Sequence, residues 1–210
     1  EGAIADAQAI LATWFLGTET GHAIADILFG AYGPSGRLPA SFPRSAGQEP
    51  YYYAHKATGR PNPPGDLQPY KAHFRKIPNS ALYPFGHGLT YGKIDYAHFT
   101  QSAPRLPMNG SIELAATITN RGTRAAEEVV QLYTHQEVAS VTQPVRRLRD
   151  FRKIVLAPGQ SVVVRFVLRS ADLSFYGEDA RLRTEPGDVL AWIAPSAESE
   201  GVSGTFALVA

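Results

Sequence analysis

The chain has 210 residues, room for one or two domains, and its 44% apolar and 19% charged content is that of a folded protein rather than a disordered one. Lys and Arg exceed Asp and Glu by one, which gives no electrostatic case for nucleic acid or for an anionic membrane surface. Cysteine is absent, which excludes disulfides, thiolate metal sites and cysteine nucleophiles and is compatible with either cytoplasm or periplasm.

No apolar run approaches the ~18 residues that a membrane-spanning helix needs. The chain opens at Glu1 with neither an initiator Met nor a signal peptide, so it reads as a processed or excised piece of a longer protein. In chain order, Ala9-Ile-Leu-Ala-Thr-Trp-Phe15 is a short, nearly continuous apolar run, the pattern of a strand covered on both faces, and it places Trp14 and Phe15 in a core. Gly17-Thr18 offers a turn and an N-cap. A helix is expected to follow, with Ala23, Ile24, Ile27 and Leu28 on one face and Gly30 as its stop.

Residues 31–92 change character. Ten of the 16 prolines fall between Gly30 and Gly92, among them Pro61, Pro63, Pro64 and Pro69. Proline lacks the donor that helices and central strands need, so the segment is expected to be irregular. It also holds Tyr51, Tyr52, Tyr53, Tyr70, Phe74, Tyr83 and Phe85, and so many aromatics predict a segment packed down on a surface.

From about Asp95 the pattern is all-β. Ile112, Leu114, Ala116 and Ile118 alternate with polar neighbours, and Asn120-Arg-Gly122 marks a turn. Val162, Val164, Phe166 and Leu168 alternate after the turn Ala157-Pro-Gly-Gln160. Val189 to Ile193 follow the turn Glu185-Pro-Gly-Asp188, with Trp192 expected in the core, and Phe206 and Leu208 end the pattern. Short alternating strands separated by Pro-Gly turns predict an antiparallel sandwich.

Three blocks carry a resemblance: Gly17-Thr-Glu-Thr-Gly-His-Ala-Ile-Ala-Asp-Ile-Leu-Phe-Gly30, Gly33-Pro-Ser-Gly-Arg-Leu-Pro-Ala-Ser-Phe-Pro43 and Leu82-Tyr-Pro-Phe-Gly-His-Gly-Leu-Thr-Tyr91. In this order and spacing they resemble the end of the second domain of family 3 glycoside hydrolases, of the bacterial periplasmic β-glucosidase type. Leu148-Arg-Asp-Phe-Arg-Lys-Ile154, Leu156-Ala-Pro-Gly159 and Glu185-Pro-Gly187 resemble the fibronectin type III-like domain that ends many such enzymes.

The fold class expected is therefore an α+β composite: a partial α/β segment at 1–50, a proline- and aromatic-rich connector at 51–94, and an all-β fibronectin type III or immunoglobulin-like sandwich at 95–210. The resemblance implies a retaining, exo-acting β-glycosidase acting on terminal β-D-glucosyl residues without metal or organic cofactor, in the periplasm or secreted. It implies as partners an N-terminal barrel, the remainder of the α/β domain and a β-glucoside or oligosaccharide, with no nucleic acid and no membrane; a homodimer stays open.

Glycoside hydrolysis needs two carboxyl groups flanking the bond, about 5 Å apart in a retaining enzyme. The family's nucleophile lies on the barrel and its acid/base upstream of this segment, so no catalytic residue is expected here. Glu19 matches a non-catalytic family Glu and reads as an acid favoured by the helix dipole. Asp26 reads as a partner for a loop donor, and Glu127-Glu128 and Glu178-Asp179 as solvated turn residues. His22, His55, His73, His87, His98 and His135 show no i, i+3 or i, i+4 spacing, so no metal motif is read. His87 sits where many family members carry Tyr. Gly33-Pro-Ser-Gly36 lacks the spacer of a nucleophile elbow, and Asn109-Gly-Ser111, formally a glycosylation acceptor, reads as a hairpin turn.

Sugars stack on aromatic faces while polar groups hold their hydroxyls. Tyr51, Tyr53, His55, Arg60, Tyr70 and Arg75 are the substrate-binding candidates, with a latch between the two domains as the competing role. The rival to an enzyme part is a stand-alone carbohydrate-binding or structural interaction module.

Overall fold

The computed structural model describes residues 6–57, 59–62 and 67–210; Glu1, Pro63 and Pro64, singled out above, lie outside them. Two sheets make the sandwich. One has the order β1-β3-β6 (Ile94–Gln101, Ser111–Asn120, Ser161–Arg169). The other has the order β2-β10-β9-β4-β5 (Arg105–Pro107, Val202–Val209, Gly187–Ala194, Ala126–Gln136, Arg147–Leu156). All pairings are antiparallel except β2 with β10. A small hairpin, β7 with β8 (Phe175–Tyr176, Leu182–Arg183), sits beside them.

The alternation read from the sequence sets the register. Leu114 lies opposite Phe166 and Ala116 opposite Val164, so one face of β3 and β6 is continuously apolar. That face meets Val130, Leu132, Val189, Ala191, Ile193, Phe206 and Leu208 of the other sheet in one buried cluster. Trp192 is not in it. It projects from the opposite face of β9, half-buried, with the Arg146 guanidinium 4.3 Å from its ring centroid, because the inward register belongs to Val189, Ala191 and Ile193.

Turns fall where expected, with two differences. Asn109, at φ 66°, does turn the chain, but it joins β2 to β3 across the two sheets instead of closing a hairpin. Glu127 and Glu128 belong to β4, the longest strand, whereas Glu178 and Asp179 are exposed in the β7–β8 turn. Asn120 is fully buried at the β3–β4 crossing; its amide donates to the Arg124 and Leu156 carbonyls at 2.7 and 3.1 Å and accepts from Gly122 N–H at 2.9 Å.

The α/β end is thin. Helix α1 (Thr20–Leu28) forms, with Glu19 rather than Thr18 at its N-cap, and Gly30 at φ 76° ends it. The apolar run 9–15 forms no strand. It runs without regular structure, with Trp14 at φ 53° and with Trp14 and Phe15 exposed rather than in a core, and α1 has no fully buried residue. A parallel-type strand holds its shape through backbone bonds to neighbouring strands, and no such neighbour exists among the described residues.

The connector is packed down, as its aromatics predicted. Gly33–Pro43 and Leu82–Tyr91 run antiparallel, with Leu38 N–H bonded to His87 O at 2.9 Å, Gly86 N–H to Leu38 O at 2.8 Å and Phe42 N–H to Tyr83 O at 2.7 Å. This pair of segments lies on the outer face of β4. Strand β4 is therefore covered on both faces, and Tyr133 there is fully buried. A piece spanning 93–210 is expected to unfold cooperatively on heating, but below the Tm of the full chain, because Gln131 and Tyr133 would lose their cover. Calorimetry of the two chains checks this; equal Tm values would show that the third layer adds nothing.

Candidate functional site

Chemistry-bearing side chains converge where the paired segments Gly33–Pro43 and Leu82–Tyr91 meet β4. Gly36-Arg37-Leu38-Pro39 has no place in a regular element, and its arginine reaches 91 residues along the chain to Glu128 on β4. Arg37 Nη2 and Glu128 Oε2 are 2.7 Å apart, with both side chains almost wholly buried (7% and 4% exposed). Tyr96 of β1 donates its hydroxyl to the other oxygen of Glu128 at 2.7 Å. Burial pushes the Glu128 carboxyl upward, while Arg37 and Tyr96 oppose that shift. Glu128 is therefore a buried anchor and not the solvated turn residue expected.

Two further ties flank this ion pair. Gln131 donates to the carbonyls of Gly86 (3.2 Å) and Pro195 (2.6 Å), and Tyr133 donates to its oxygen at 2.5 Å. Gly86, at φ 79°, lets the chain pass so close that a β-carbon there would lie 2.2 Å from the Gln131 oxygen. Gly86→Ala is expected to cost about 2 kcal/mol or more, combining the left-handed backbone penalty with displacement of Gln131; chemical denaturation of the variant measures it.

On the other side, Glu127 accepts from Tyr32 and pairs with Lys153, each at 2.5 Å. Hydrogen bonds from Lys153 and Tyr32 hold its carboxyl down at about 2. Neither Glu127 nor Glu128 is free for acid/base work: each is committed to holding the layers together.

The six candidate binding residues divide into two groups. Tyr53 stacks on Phe85 at 4.1 Å between centroids, meets Tyr133 edge-on at 6.3 Å, and accepts from Leu148 N–H at 3.3 Å. The Tyr51 hydroxyl lies 2.8 Å from Glu198 Oε1 and 2.9 Å from the Asn79 carbonyl, and burial followed by Glu198 pushes the phenol upward. His55 meets the Tyr51 ring edge-on at 6.1 Å, and its carbonyl accepts from Val145 N–H at 2.9 Å. These three face the sandwich. Arg60, Tyr70 and Arg75 are exposed and are not brought into that cluster.

Of the remaining acids, Glu19 is exposed at its helix start, and the loop donor Tyr32 N–H reaches the backbone carbonyl of Asp26. Arg37, Glu128, Gln131, Lys153 and Glu198 were not anticipated. The one available signal was the unbroken run Val129-Val-Gln-Leu-Tyr-Thr134, which is too apolar to stand beside a solvated turn.

Residues 2–91 match the glycosyl hydrolase family 3 C-terminal domain, and residues 128–197 match the fibronectin type III-like domain. A periplasmic beta-glucosidase of Salmonella typhimurium is 44% identical over 86% of this chain and 24% of its own length. A beta-xylosidase of Formosa agariphila is 31% identical over 91% of this chain and 25% of its own length. The crystal structure of a beta-glucosidase from Listeria innocua superposes with a TM-score of 0.87 at 36% identity, over 94% of this chain and 27% of that one. The chain thus spans about a quarter of the length of the curated relatives it matches. It belongs to glycosyl hydrolase family 3, as that family's C-terminal domain sequence joined to a fibronectin type III-like domain.

Proposed function

We propose that this chain is the structural C-terminal part of a retaining, exo-acting β-glycosidase of β-glucosidase type, supplying support and not the catalytic pair. The observation that carries the reading is the commitment of the two β4 carboxylates, of which Glu128 is buried. Glu127 and Glu128 are tied to Lys153, Tyr32, Arg37 and Tyr96, which holds the segment around Tyr32 and Arg37 on the sandwich. Its partners would be the N-terminal barrel, the rest of the α/β domain and a β-glucoside. Relatives of comparable identity include a beta-xylosidase, so sugar selectivity would reside outside this region.

The natural division would be 1–50, 51–94 and 95–210, with the middle piece as the tether. A place in the periplasm or outside the cell would accord with the periplasmic relative; no helix among the described residues is long and apolar enough to cross a membrane. Tyr51, Tyr53 and His55 would latch the layers, leaving Arg60, Tyr70 and Arg75 to border an outer subsite. The purified chain is expected to turn over neither an aryl β-glucoside nor an aryl β-xyloside above background. Turnover abolished by substituting a residue of this chain would overturn the reading.

A second reading, a free-standing carbohydrate-binding module, has one observation in its favour: Tyr70 is 91% exposed. Saturable binding of a β-linked oligosaccharide by the chain, lost in Tyr70→Ala, would support it.

A further inference from the structure

His87 stands beside the buried Arg37–Glu128 pair. Its ring stacks on Tyr83 at 5.1 Å between centroids, tilted by 23°, and the Arg37 side chain runs over the adjoining Gly88 so closely that a β-carbon there would lie 3.0 Å from Arg37 Cδ. His87 is half-buried and lines an open cleft of about 300 Å³ together with Tyr96 and Glu128, so water reaches its ring while the Glu128 carboxyl stays almost wholly covered. The charged and titratable groups facing it are Arg37 from the Gly33–Pro43 segment, Tyr83 from its own segment, Tyr96 from β1 and Glu128 from β4.

No ring nitrogen of His87 has a hydrogen-bond partner among the described residues, and both Glu128 oxygens are already engaged, one by Arg37 and one by Tyr96. A proton added to the ring enters no hydrogen bond present in the structure and is opposed by the nearby Arg37 guanidinium.

We propose that His87 is an acid-operated release for the connector: an imidazolium at this point sets a second cation against Arg37 and loosens the clasp to Glu128. The backbone transmits the effect, because Leu38 N–H bonds to His87 O and Ala197 N–H to Phe85 O, each at 2.9 Å. Burial first, and Arg37 second, hold the imidazole below its ordinary value of 6.5 in the docked state. The docked form therefore binds the proton less well than the released form. Stability of docking is fully present above about pH 6.5 and is lost progressively as pH falls from there through the docked-state value.

The test is amide hydrogen exchange on the full chain at about pH 7.5 and about pH 5, corrected for the intrinsic pH dependence of exchange. Protection at Leu38, Gly86 and Ala197 is expected to fall by up to about tenfold for each unit by which the imidazole is held down. The β3–β6 ladder should keep its protection. His87→Phe keeps a ring against Tyr83 but cannot titrate, and it should abolish the difference. Unchanged protection in the wild-type chain would overturn the proposal, as would an equal loss in His87→Phe, which would assign the effect to another group such as Glu128. Should that variant not fold, NMR titration of the wild-type imidazole decides: a value below 6.5 supports the proposal and one at or above it ends it.

Discussion

Glu128→Ala is expected to destabilise the chain by about 3–5 kcal/mol, the cost of leaving a buried charge without its partner. Arg37 has little in reserve: its Nε is already buried without a hydrogen-bond partner, and its Nη1 reaches only the Ser35 and Gly36 carbonyls, at 3.3 and 3.0 Å. The Tyr96 hydroxyl would lose its acceptor in the same step. The double variant Arg37→Met with Glu128→Leu should be much milder than Glu128→Ala, because no charge is then stranded in the interior. Urea unfolding of the three chains (wild type, Glu128→Ala and the double variant) near neutral pH measures both effects. A single-variant cost below about 1 kcal/mol would mean that water already reaches the pair. The neighbouring Lys153–Glu127 pair is more exposed, so its loss should matter little and should be masked by salt.

Under the proposed function, hydrolysis is expected to appear when this chain is co-expressed with the N-terminal region of the proposed enzyme as a separate polypeptide, with neither part active alone. The driving surface is visible at the α/β end, where Trp14, Phe15, Leu28 and Phe29 are exposed, Phe15 completely. Burying one such side chain yields about 1.5–3 kcal/mol, so several together can offset much of the entropic cost of association. Phe15→Ser with Phe29→Ser should prevent reassociation while leaving the sandwich transition unchanged. Activity recovered equally well by the double variant would place the contact elsewhere. A monomeric chain that ignores its partner and binds oligosaccharide would favour the binding module.

The sandwich was legible because its signal is local. Ile112, Leu114, Ala116 and Ile118 repeat with period two, and Pro-Gly turns separate the runs, so strand existence and inward face followed without knowledge of the partner strand. Trp192 shows the limit of that reasoning. In the apolar run 189–193 either face could have been the inner one, and the pairing of β9 with β4 and β10 assigned the inside to its neighbours. The strand expected at 9–15 failed for the complementary reason: its apolar character records a cover supplied by other strands, and without them the backbone has no ladder to join.

The amino-acid sequence by itself carried the family resemblance in its motif blocks, and it determined the all-β character of the C-terminal half, helix α1 and the irregular, packed-down connector, because these three depend on short-range patterns of side-chain type and backbone freedom. The tertiary structure alone decided that β4 is covered on both faces and that Arg37 meets Glu128. It also decided that Tyr51 and Tyr53 face the sandwich while Tyr70 faces water. Those outcomes depend on groups 45 and more positions apart, and nothing in the spacing of a charge or an aromatic ring along a chain records which distant surface will exclude water from it.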